Sequence, residues 1–118
     1  MQTTTKLLST SSLMDDEVLS RDGEKLGHVS DLVLDMASGQ IAYAVLAFGG
    51  LFGMGQKLFA VPWNAMRLEG HSLVLNVDKS TLKDAPGFDK DHWPGMDDPG
   101  WINTVHGFYG TRPHASRH

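Results

Sequence analysis

The chain has 118 residues, 41% hydrophobic and 20% charged, enough for one core and too few for two. Its formal charge of −4 comes from 14 acidic and 10 basic residues; the basic ones stand singly, which argues against direct nucleic-acid binding and leaves a basic protein partner open. With no cysteine, disulfides, thiolate catalysis and cysteine-held metals are excluded.

Met1 to Ser12 is polar and rich in Ser and Thr, and residues 1 to about 14 read as a leader. They lack the apolar run of a signal peptide, and no later segment approaches a membrane span. A flexible leader, no membrane insertion and a cytoplasmic location are therefore expected. The first structured signal is Glu17-Val18-Leu19-Ser20, followed by Arg21-Asp22-Gly23-Glu24. Asp-Gly between apolar runs favours the φ > 0 geometry of a tight hairpin. Lys25 to Asp35 reads two ways. Leu26, Val29, Val33 and Met36 would share one face of a helix, whereas Leu32 and Leu34 alternate as in a strand, with Gly27 at a bend or bulge. The hairpin ahead of it favours strand. Ser38-Gly39 marks the next turn.

Ile41 to Phe48 is the clearest strand, and it is apolar on both faces: Ile41, Tyr43, Val45 and Ala47 on one, Ala42, Ala44, Leu46 and Phe48 on the other. Lys57 to Val61 is similarly two-sided. The outer face of a small barrel should be polar, so these strands require a cover. Between them Gly49 to Gly55 is glycine-rich yet apolar, with Leu51, Phe52 and Met54. Pro62 ends the fourth strand, Trp63 to Met66 is expected to turn, and Ser72 to Val77 gives a one-sided strand. Asp78 is placed to cap a short helix that stops before Pro86.

Beyond Pro86 the chain is rich in Gly, Pro and Asp, yet it holds Trp93, Trp101, Phe108 and Tyr109, unlike a disordered tail. Asp98 as N-cap, Pro99 at the first helical position and Gly110 past the end bracket a helix. Trp101, Val105 and Phe108 share its apolar face, with Ile102 and Tyr109 at the margin. Residues 89–118 are thus expected to dock as an amphipathic arm on the domain over residues 15–88, or on a second subunit.

Tests for chemistry return nothing specific. Gly50 and Gly55 have the spacing of a phosphate-binding loop, but Gln56 stands where its lysine should be and Lys57 comes one residue late. The six histidines lack a metal-binding pattern and read as scattered surface residues. Asp89 and Asp91 resemble the start of a calcium loop, but Trp93 and Pro94 displace its ligand and glycine. Asp15-Asp16-Glu17 and Asp97-Asp98 read as solvated turns and helix caps, and no Gly-x-Ser-x-Gly nucleophile is present. No catalytic residue, cofactor or metal is expected.

The run from Ser20 to Asp35, then Ser38 to Leu46 with Phe48-Gly49-Gly50, then Lys57-Leu58-Phe59-Ala60-Val61-Pro62-Trp63, and finally Leu73 to Val77 with Leu82 and Ala85-Pro86, resembles a PRC-barrel domain. The match covers about residues 14 to 88, in order; the tail is similar to extensions on stand-alone bacterial members. The resemblance implies an all-β, roughly six-stranded barrel with short helical turns and a C-terminal helical arm, and it settles Lys25 to Asp35 as strand. It implies a docking element without catalytic residues, as in the reaction-centre H subunit and a ribosome-maturation factor. The expected activity is non-catalytic protein interaction, with a homodimer first among partners. An adaptor docking a basic ribosomal protein and a peripheral partner of a membrane complex are the alternatives. Leu46, Phe48, Leu51, Phe52, Met54, Trp101, Val105, Phe108 and Tyr109 are the expected interface.

Overall fold

A computed structural model describes residues 7–48 and 57–112. It opens with a short helix, α1 (Thr10–Met14), where a flexible leader was expected. Ser9 caps it by accepting a hydrogen bond from the Ser12 amide at 3.1 Å, and Leu13 is buried in the core. The leader expectation is corrected for these residues: one leucine spaced to reach strand β2 is enough to dock the turn.

Strands β1 (Glu17–Leu19) and β2 (Lys25–Asp35) form the expected hairpin, with Gly23 at φ 87°. Buried Ser20 closes the turn, its hydroxyl accepting from the Glu24 amide at 3.1 Å. The register slips by one residue where Leu19 meets Lys25 and Val18 meets Gly27. A side chain at Gly27 would lie 2.1 Å from the Ala47 carbonyl oxygen, so this close approach requires glycine.

Next come β3 (Gln40–Ala47), β4 (Leu58–Pro62), a 3₁₀ turn at Trp63–Ala65, β5 (Met66–Glu69) and β6 (Ser72–Leu75). The turn expected at Trp63 to Met66 is thus followed by an unexpected strand. The chain continues through α2 (Lys79–Leu82), β7 (Gly87–Phe88) and α3 (Pro99–Tyr109). Asp78 sits at the N-cap position of α2 as expected, but its side chain makes no capping bond to a backbone amide. Its carboxylate accepts from the Thr81 hydroxyl at 2.8 Å and meets Arg21 at 3.4 Å, contacts that hold its pKa below the usual carboxylate range, the Thr81 bond most of all.

The strands form one sheet of seven in the order β5-β6-β1-β2-β3-β4-β7. Neighbours pair antiparallel except β1 with β6, which run parallel. Among the described residues no ladder joins β5 to β7, so hydrogen bonding does not close the expected barrel of roughly six strands. The expectation missed β5, an edge strand, and β7, whose two residues pair only with Leu58 and Phe59.

The core centres on β3 and β4. From Tyr43 to Phe48 and from Leu58 to Pro62 every residue is buried on both faces. The C-terminal arm supplies much of the cover, since α3 packs on β4 of its own chain and buries Val105, His106 and Tyr109. Its ends follow the sequence signals: the Asp98 carboxylate accepts from the Trp101 amide at 3.1 Å, and Gly110 closes the helix at φ 68°.

Candidate docking groove

Strand lengths create the groove. β2 and β3 pair along a long hairpin, but β4 pairs with β3 only from Tyr43 to Ala47. Pro62 lacks a backbone N–H to continue the ladder, and the chain turns away at Trp63–Ala65. The far end of the hairpin therefore overhangs. A register shift between Val33 and Leu34 further twists it. Its tip is held by local bonds: the Gly39 amide donates to the Asp35 carbonyl at 2.7 Å, and the Ala37 amide to the Asp35 carboxylate at 3.0 Å.

A groove of about 590 Å³ lies between this overhang, the Trp63 turn and the C-terminal arm. That size falls within the range of binding clefts. Buried Tyr43 and His106 form its floor, and half-buried Ala42, Trp63, Met96 and Ile102 its walls. At the rim stand Leu34, 53% exposed, and Met36, 84% exposed, with the charged Asp97 and Arg112. The other large exposed hydrophobics among the described residues are Leu7 and Leu8 near the N-terminus and Trp93, whose ring packs edge-on to Phe88 at 5.1 Å.

The His106 ring stands 5.6 Å from that of Tyr43, and its Nδ1 lies 2.8 Å from the Thr111 hydroxyl. Burial lowers the His106 pKa and raises that of Tyr43, so both rings are neutral near pH 7. The floor therefore offers aromatic surface without charge. Among the described residues no cluster of three metal-ligating side chains occurs, and no helix is long and apolar enough to cross a membrane.

None of the described residues expected at the interface lines this groove. Leu46, Phe48, Val105 and Tyr109 are at most 3% exposed and are used inside the chain's own core. Trp101 and Phe108 are half-buried, packed edge-on to Phe88 at 6.0 Å and Tyr109 at 4.9 Å. Leu51, Phe52 and Met54 lie outside the described residues. The reading of His106 as a surface histidine is also corrected: it is 6% exposed and faces Tyr43. Sequence reasoning missed Leu34, Met36 and Trp63 at the groove. The available signal was the pair Leu34 and Met36 immediately ahead of the Ser38-Gly39 turn, where exposed positions are usual.

By its architecture the chain is a small mixed-sheet module, carrying its own helical clamp and an open apolar groove. The family model of the PRC-barrel domain matches residues 6–82, more than half of the chain. The chain belongs to the PRC-barrel domain family, and that membership suggests a protein-interaction module. No curated protein matches it. Met96, Asp97, Ile102, His106 and Arg112 lie beyond the matched span, so the C-terminal extension builds one side of the groove.

Proposed function

We propose that this chain is a non-catalytic protein-interaction domain that engages its partner through the groove beneath the β2–β3 overhang. One observation carries the reading: Leu34 and Met36 stand exposed at the rim of an apolar groove, whereas the apolar faces of β3 and β4 are covered by the chain itself. Burying one such side chain contributes roughly 1.5–3 kcal/mol. Two of them, joined by the walls at Trp63, Met96 and Ile102, offer a worthwhile anchor for a second surface. Membership in the PRC-barrel family supports the same reading, and the polar groups stand at the rim where they would orient a partner.

The test compares the full-length wild-type chain with a Leu34→Asp, Met36→Asp double variant, each tagged and recovered from cells under identical conditions. Partners bound to the wild type should be lost from the variant while its circular dichroism spectrum is unchanged. Equal recovery of the same partners by both chains would place the docking surface elsewhere.

A further inference from the structure

We infer that the occupant of the groove is the same groove of a second copy, related by a two-fold axis. The inference rests on the groove being a docking surface and goes further by naming what docks there. Three features of that face are self-complementary. A two-fold contact requires each patch to carry both halves of every interaction.

The first is apolar. Leu34 and Met36 project beside walls that include Trp63, Met96 and Ile102, so knob and socket occupy one face. The second is charge. Asp97 and Arg112 both stand exposed at the rim, and among the described residues neither has an ion-pair partner. A two-fold axis running between them would set the Arg112 of each copy against the Asp97 of the other. Asp35 also lines the groove, so both signs are present with one carboxylate in excess, and a rim of a single sign would repel its own copy more strongly. The third is backbone. On the groove side, among the described residues, Gln40, Ile41 and Ala42 have no ladder partner, because β4 joins β3 only at Tyr43. An open strand edge is its own antiparallel complement under a two-fold axis.

Size sets the expected strength. Fifteen residues line the groove, against roughly 20–30 on each side of a standard stable interface. A reversible dimer is expected, rather than a permanent one.

Sedimentation velocity on the full chain, from about 1 to 100 µM, reads the assembly. The wild type should pass reversibly from monomer to dimer, and Met36→Asp should stay monomeric, with the melting temperature of the dilute wild-type monomer. Asp97→Arg and Arg112→Asp should each weaken the dimer about tenfold, since each variant faces two like-charge contacts. Mixing these two variants should restore dimer. In the mixed pair the two substituted side chains carry opposite charges and meet at one contact, while the native Arg112 of one copy meets the native Asp97 of the other. A wild-type chain monomeric throughout, or a dimer indifferent to Met36→Asp and to the charge exchange, overturns the inference.

A photo-crosslinker at position 36 separates this failure from that of the broader reading. Adducts of twice the chain mass support the second copy. An internal link to residues 113–118 makes the chain's own tail the occupant and overturns both readings. Adducts to a different protein overturn the dimer while leaving the groove a docking site.

Discussion

Strand β3 has two halves built from the same kinds of residue and treated differently by the fold. From Tyr43 to Ala47 it is paired on both sides and fully buried. From Gln40 to Ala42 its only ladder is to β2, through Gln40 and Ile41, with Ala42 at the register shift, and the hairpin around it leaves Leu34 and Met36 in water. Hydrophobic pattern does not separate these halves. The lengths of their neighbours do: β4 stops at Pro62, and α3 packs chiefly beside β4. A two-sided apolar strand thus needs a cover, but its source is decided by connections far along the chain.

The sharpest way to break this comparison is to cut into the sealed half. Leu46 is completely buried among core residues that include neighbouring Val45 and Ala47. Leu46→Ala should cost about 3 kcal/mol, the transfer of the lost methyl groups plus the cavity they leave. Thermal denaturation should show the midpoint falling by roughly 10 °C or more. A loss under about 1 kcal/mol would mean that this half is far less tightly packed than its burial indicates.

A smaller effect probes the seam between the halves, where His106 is both core residue and groove floor. Burial lowers its pKa in the folded chain, so the unfolded chain binds the proton more readily. Stability from this residue is complete above the unfolded value of about 6.5 and declines as the pH falls through it toward the folded pKa. His106→Gln removes that dependence. The excess stability of the wild type over His106→Gln should be greatest above about pH 7 and shrink as the pH drops below about 6.5. Melting curves of both chains across that interval decide it; a constant gap would mean that water reaches the ring and the seam is open.

How much of this was legible from sequence depends on whether the cause is local. The Asp98, Pro99 and Gly110 signals placed α3 correctly, because caps act within a turn of their own residue. Asp22-Gly23 and Ser38-Gly39 likewise marked real turns, and the demand for a cover over β3 and β4 was met by the arm in the same chain. Strand β5 was readable but missed: Met66, Arg67, Leu68 and Glu69 alternate half-buried with exposed, behind the 3₁₀ turn at Trp63. The phase of α3 was off by a small rotation. Its buried residues are Val105, His106 and Tyr109 rather than Trp101, Val105 and Phe108, and a histidine on the apolar margin gave little warning. The groove itself was not legible. It exists because β4 is shorter than the hairpin it joins and because Met96 and Ile102 come back across the opening, relations that no single stretch of sequence contains.

The mildest change tests the open half from the opposite side. Met36 is 84% exposed at the hairpin tip, where the turn is held by Asp35 and Gly39 rather than by the methionine. Met36→Ser removes an apolar side chain that already lies mostly in water, so little transfer free energy is lost and no cavity forms. Chemical denaturation, measured at dilution where any assembly has dissociated, should move by no more than about 0.5 kcal/mol. A loss near that expected for Leu46→Ala would show that the tip packs on its own chain, erasing the difference between the two halves of β3. A neutral result leaves Met36 available for contact outside the fold, because the folded chain would then gain almost nothing from keeping it there.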